Sequence, residues 1–465
     1  MKPKSMKPKS MKSKSMKSKS MKPKSVKPKS VKSKSVKPKN MKQKGLGDDQ
    51  MKKAATYIAI LLIVMMAPGV AGCAAPARAE GLMGGVSPGA VSGRKADAGF
   101  IGSMADFSIE LFKKSIKDRE NSLISPLSVT LALAMTANGA GNETLSQMEK
   151  LLGGDIPLAE LNEYLYEYVR KLPNEKKSML KIANSIWFRD NNNALSVNPG
   201  FLQKNADYYQ AAAFGSPFNS QTVKDVNSWV KANTEGMIDR ILEAIDAANV
   251  MFLINAVMFD AEWQNVYYKE NVREDVFTDI GGAERNAKFM HSTESSYLDD
   301  GLATGFIKPY ANGGYSFAAL LPNEGVPIGE YIETLTGASF LDTLKNSQDE
   351  IVYAAMPKFT YSYEITLNDA LKALGIPEAF DAGKADFTQM ATLPEDNIFI
   401  SLVLHKTYIA VDELGTKAGA VTMVAMSGSG MARDPKTVRL DRPFVYAIID
   451  NATNLPIFIG AVMTV

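Results

Sequence analysis

The chain runs to 465 residues, 45% of them hydrophobic and 22% charged, which excludes a disordered protein and leaves room for one large globular domain or two average ones with appendages. Its formal charge of +3 hides an asymmetry, because residues 1–50 carry 18 Lys against only Asp48 and Asp49 and leave the rest of the chain acidic. An acidic body offers no footprint to DNA or RNA, whose binding rests on Lys and Arg neutralising phosphates, so nucleic acid is not an expected partner of that body.

Residues 1–45 are nine tandem pentapeptides, from Met1-Lys2-Pro3-Lys4-Ser5 to Met41-Lys42-Gln43-Lys44-Gly45. Two Lys in every five residues cannot bury a core, so 1–50 is expected to stay extended and solvated. A polybasic arm touching anionic lipid or nucleic acid is the functional alternative. Met51-Lys52-Lys53 also looks like a natural start, which would leave the tract untranslated.

An apolar run from Ala54 to Ala67 follows, too short for the about 20 residues of a spanning helix, so residues 51–73 read as a cleaved secretory signal. Val70-Ala71-Gly72-Cys73 resembles the lipobox of prokaryotic lipoproteins, whose cysteine becomes the lipidated first residue. Cys73 is the single cysteine of the chain, which rules out an internal disulfide and puts the thiol at the one position that this chemistry requires. Residues 74–100, rich in Ala, Gly and Ser, read as a flexible tether.

The body, residues 101–465, shows no boundary rich enough in Pro or Gly to split it. Met104, Phe107, Leu111 and Phe112 lie on one side of an amphipathic helix, and Leu127 to Met135 continue as a buried one. Later runs predict strands at Met251–Phe259, Tyr315–Leu321, Ile351–Ala355, Ile398–Val403, Thr407–Val411, Phe444–Ile449 and Pro456–Val462. Helices first and strands afterwards, without regular alternation, argue for an α+β domain on a large, mostly antiparallel sheet.

Catalytic constellations are scarce. His291 and His405 are the two imidazoles, neither at a metal-binding spacing, and with Cys73 lipidated there is no cysteine nucleophile. No phosphate-cradling glycine loop occurs. A hydrolase and nucleotide chemistry are both disfavoured, and no cofactor or metal is expected.

The carboxyl end is specific. Val438-Arg439-Leu440-Asp441-Arg442-Pro443-Phe444-Val445-Tyr446-Ala447-Ile448, followed by Leu455-Pro456-Ile457-Phe458-Ile459-Gly460, resembles the serpin signature and its last buried strand. Asn121 to Ser128, Asn255-Ala256-Val257-Met258-Phe259 with Trp263, Met356-Pro357-Lys358-Phe359 and Leu374 to Phe387 resemble serpin segments in the same order. The resemblance implies a serpin fold with three β-sheets, eight or nine helices and an exposed reactive-centre loop. It also implies a protein that is not an enzyme. Its expected function is irreversible suicide-substrate inhibition of serine proteases, with cysteine proteases as a further target class. The alternative is a non-inhibitory member acting as carrier, chaperone or binding protein.

Glu413 to Thr422 resembles the proximal hinge of inhibitory serpins, with Glu413, Gly415, Thr416, Ala418, Gly419, Ala420 and Thr422 as its residues. After cleavage this segment would enter the large sheet as a new strand. Residues two apart share a strand face, so Thr416, Ala418, Ala420 and Thr422 form one small set, while Lys417, Gly419, Val421 and Met423 form the other. Small side chains enter without a clash, which favours inhibition over the carrier reading. About ten new hydrogen bonds at roughly 0.5–1.5 kcal/mol each would drive the step. The family's spacing from Glu413 puts the scissile bond between Ser429 and Gly430. The stretch from Glu413 to Pro443 is a few residues longer than usual, so Met426, Met431 and Arg433 stand as alternatives with different protease specificities.

Ser125, Ser128, Asn255 and His405 match the polar shutter that serpins place where the sheet opens; a satisfied buried polar cluster is the plainer reading. Trp263, Lys358 and Glu413 match the breach where insertion begins. The expected partners are a target serine protease, held covalently, and a membrane reached through lipid on Cys73. The expected form is a monomer secreted to the outer face of a prokaryotic membrane.

Overall fold

The computed structural model describes residues 78–191, 193–394, 396–416 and 434–465. The lysine repeats, the expected signal segment with Cys73, and residues 417–433 of the expected hinge and loop lie outside them.

Along the chain come β1 (Glu80–Gly81), α1 (Ala98–Ser115), β2 (Ser122–Ile124), α2 (Pro126–Ala137), α3 (Asn142–Gly153), α4 (Leu158–Lys171) and β3 (Ser178–Arg189). Next are β4 (Ser196–Val197), α5 (Pro199–Tyr209), β5 (Ala212–Ser216), α6 (Ser220–Asn233), β6 (Met251–Glu262), β7 (Val272–Thr278), β8 (Glu284–Asp299), β9 (Ala303–Pro309) and β10 (Tyr315–Pro322). The remainder is α7 (Ile328–Thr334), α8 (Gly337–Lys345), β11 (Gln348–Pro357), β12 (Phe359–Thr366), α9 (Asn368–Ala373), β13 (Ala391–Thr392), β14 (Leu402–Val411), β15 (Gly415–Thr416), β16 (Lys436–Arg439), β17 (Phe444–Asp450) and β18 (Pro456–Val462). The architecture is the α+β one expected, with three sheets and nine α-helices among the described residues.

Local chemistry starts the helices where they are needed. Asp97 caps α1 by accepting from the Phe100 amide, and Met104, Phe107, Leu111 and Phe112 are buried on that helix. Ser125 precedes α2 with Pro126 in its first turn, where a missing N–H costs nothing. All twelve residues of α2 are buried, because it lies between β3 and β6 on one side and β18 on another.

The large sheet has strand order β1-β5-β3-β6-β15-β14-β12. β15 separates β6 from β14 only at one end, with Thr416 paired to Ala261 and to Val411. Farther along, β6 and β14 pair directly and in parallel, from Leu402 opposite Phe252 to Lys406 opposite Ala256. A second sheet runs β16-β11-β8-β9-β10-β17-β18-β2, with β7 on β8, and β4 pairs with β13 in a third.

The structure corrects two expectations and adds a long strand that none of the predicted runs covers. The tether is docked on the body from residue 78 onward: Leu82 N donates to Ala213 O, Glu80 pairs with Gly215, and Leu82, Met83 and Val86 pack on the core. A composition rich in Ala and Gly concealed three apolar side chains with a face to bury. The two strands expected at 398–403 and 407–411 are a single strand, β14, and Ile398 and Ile400 are buried ahead of it. His405 and Lys406 looked like a break, but the pleat sends one inward and the other outward. β8, the longest strand, went unforeseen because its sequence is largely polar and lacks alternation.

Candidate functional site at the seam of the large sheet

Where β6 meets β14, Asn255 stands opposite His405 in register, and both are fully buried. His405 Nε2 accepts a hydrogen bond from the Ser125 amide at 3.1 Å. That nitrogen therefore has no proton, so Nδ1 carries it and donates to Asn255 Oδ1 at 2.5 Å. Burial pushes the imidazole pKa down to about 3, so the ring stays neutral. Asn255 Nδ2 donates to Ser128 Oγ at 2.5 Å and to Asn184 Oδ1 at 2.6 Å. Asn184 Nδ2 in turn donates to the Ser128 carbonyl at 3.1 Å.

Ser125, Ser128, Asn255 and His405 thus come together, with Ser125 just ahead of α2 and Ser128 in its first turn. Asn184, opposite Asn255 on β3, is a fifth member that sequence reasoning missed. Nothing around it in the sequence marks it; only the pairing of β3 with β6 brings it in.

At the other end of the seam the stem of β15 is held by β6 and the turn after it. The Trp263 and Tyr267 amides donate to the carbonyls of Leu414 (2.8 Å) and Glu413 (2.9 Å). Trp263 Nε1 donates to the Asp412 carbonyl at 2.8 Å. Lys358 Nζ lies 2.6 Å from Glu413 Oε2, with both side chains about a third exposed. Burial would raise the Glu413 pKa, but the Lys358 ammonium outweighs it and holds the carboxyl below its usual range.

Gly415 is required by space. A β-carbon there would lie 2.0 Å from the Ala261 carbonyl oxygen. Thr416 is buried, and its hydroxyl lies 2.5 Å from the Tyr310 hydroxyl. Tyr310 stacks on Trp263 with ring centroids 4.5 Å apart. Trp263, Lys358 and Glu413, the residues expected at the breach, are therefore one cluster. Ala418, Gly419, Ala420, Thr422, Met426, Ser429, Gly430, Met431 and Arg433 lie outside the described residues. His291 sits on β8 opposite Ala355, away from this seam.

The large sheet thus holds a two-residue strand, β15, at one end of the seam where β6 and β14 otherwise pair directly. The family model described as "Serpin (serine protease inhibitor)" matches residues 102–465, and the chain belongs to the serpin family. It is 32% identical to human neuroserpin over 380 residues, covering 78% of this chain and 90% of neuroserpin. The thermophilic serpin tengpin in its native state is 55% identical, with a TM-score of 0.81, covering 84% of this chain and all of tengpin. Against the latent state of tengpin the identity is 54% and the TM-score 0.72, covering 80% of this chain and 100% of that one.

Proposed function

We propose that this serpin is a suicide-substrate inhibitor of serine proteases that traps the acyl-enzyme by inserting its cleaved loop between β6 and β14. In the reaction, the protease serine attacks the Ser429 carbonyl, an ester forms, and the amine of Gly430 leaves. The carboxyl-terminal product is free to depart, and the hinge carries the ester-bound protease as it enters the sheet. About 15 inserted residues at 3.3 Å each move it on the order of 50 Å.

The observation that carries this reading is the register at β15. Thr416 stands opposite Ala261 and Val411, and beyond it Asn255 stands opposite His405, so β6 and β14 keep one common offset along the whole seam. A strand continuing from Thr416 requires only that the two part sideways, with no slip along their length. In that continuation Ala418, Ala420 and Thr422 come opposite Phe259, Val257 and Asn255 on one side and Ile409, Thr407 and His405 on the other. All six of those residues are buried, which is why the small set suits this face. Lys417 takes the opposite face.

The protein is, on this reading, secreted, monomeric and held at the outer face of a prokaryotic membrane by lipid on Cys73. It has no catalytic turnover of its own. Incubating it with serine proteases tests the proposal: a covalent complex stable to boiling in detergent supports trapping, and cleavage alone contradicts it.

A further inference from the structure

Beneath the stem lies a charge pair that neither the shutter nor the breach uses. Lys308 on β9 is 1% exposed at its side chain and Glu294 on β8 is 6% exposed, with Nζ and Oε1 2.8 Å apart. A buried pair of this kind is weak evidence for stability, since desolvating two ions offsets much of their attraction. Its surroundings suggest a different role. The Lys308 ammonium lies 4.3 Å from the Tyr267 ring centroid and 5.5 Å from that of Trp263. Ser292 Oγ donates to Glu294 Oε1 at 2.6 Å and reaches the Tyr267 hydroxyl at 3.4 Å, closing the circuit. Trp263 and Tyr267 are the two residues whose N–H groups hold the carbonyls of Asp412, Glu413 and Leu414. A single cation thus lies against the rings of both residues that hold the stem, Trp263 through its indole and backbone N–H and Tyr267 through its backbone N–H.

We propose that Lys308, with its charge balanced by Glu294, is a positioning residue that fixes the Trp263–Tyr267 platform and thereby sets how readily the stem of β15 is released for insertion. This deepens the inhibitory reading and rests on it for the consequence, though not for the geometry. Among the described residues, the Lys308 ammonium meets Glu294 and the two rings. It acts through the rings, as a cation held against π-faces in a dry site.

Two variants of the full chain test this: Lys308→Met, which keeps the aliphatic stem, and Lys308→Met with Glu294→Gln, which removes both charges and leaves no uncompensated carboxylate. Amide hydrogen exchange is read at Trp263 and Tyr267, with Leu253 to Ala256 in the closed seam as an internal control. Both variants should exchange roughly tenfold faster at the two platform amides, a loss appropriate to a desolvated cation–π contact, with the seam unchanged. Wild-type exchange at the platform in the double variant would overturn the proposal and leave the pair as charge compensation alone. Equal acceleration in platform and seam would overturn it too, as general loosening of the sheet. The ratio of trapped complex to cleaved inhibitor should change in the same variants. Should wild-type protein trap no protease, the inhibitory reading fails on that result, while the exchange data still decide the positioning role.

Discussion

His405 and Asn255 hydrogen-bond at 2.5 Å across the parallel seam between β6 and β14, at the position where the two strands are direct neighbours. Adjacent strands lie about 4.8 Å apart, so a strand placed between these two would double their separation and break that bond. On the proposed insertion this contact belongs to the resting state, and so does the protonation chemistry of His405.

Acid sensitivity follows with a definite sign. In the fold His405 is neutral, its pKa pushed down from 6.5 to about 3, so as pH falls the unfolded chain takes up the proton first. Its contribution to stability is full above about pH 6.5 and is lost progressively down to about pH 3, by as much as ~5 kcal/mol. Urea unfolding at pH 7, 5.5 and 4 should show a shallower pH slope in His405→Gln than in wild type. Identical slopes would contradict the assignment.

Gly415→Ala should unseat β15. With 2.0 Å between the added carbon and the Ala261 carbonyl oxygen, main chain must shift, because no flexible side-chain end is available to give way. The expected cost is about 1–3 kcal/mol, typical of overpacking, measured by urea unfolding. Exchange at the Thr416 amide should rise at the same time.

Arginine substitutions separate insertion from resting stability. Thr416 is already 2% exposed against Tyr310 in the resting fold, so Thr416→Arg damages the resting molecule as well as the inserted one. On the proposed insertion, Ala420→Arg would add its charge to the inner face, where an unpaired ion costs several kcal/mol. This variant should be cut at the wild-type rate and release active protease, read as a lost complex band beside an undiminished cleavage product.

Localisation turns on one atom. With Cys73 lipidated, the protein should partition with membranes after cell disruption, and Cys73→Ala should appear in the soluble fraction. Recovery of Cys73→Ala still tightly membrane-bound would contradict the lipid anchor.

The family and its α+β class were legible because the carboxyl-terminal strands are continuous apolar runs and the motifs around Asn255, Lys358 and Arg442 occur in order. β17 and β18 were found nearly to the residue, since strands buried on both faces leave a plain signal. Asn184 was not legible, because an asparagine in a half-buried strand looks the same whether or not it faces another asparagine. Lys308 and Glu294 were missed for a related reason: a lone Lys and a lone Glu read as surface charges, and only the pairing of β8 with β9 and β9 with β10 buries them together. The docked segment after residue 78 was hidden by composition averaged over too long a window.

Trapping itself is tested most directly by mixing the purified protein with elastase-like, subtilisin-like and trypsin-like serine proteases and weighing the products. Insertion predicts a complex that survives boiling in detergent, a released carboxyl-terminal peptide beginning at Gly430 or at the residue after Met426, Met431 or Arg433, and a cleaved inhibitor more resistant to heat than the intact one. Complete cleavage by every susceptible protease, with no stable complex and no gain in heat resistance, would contradict it.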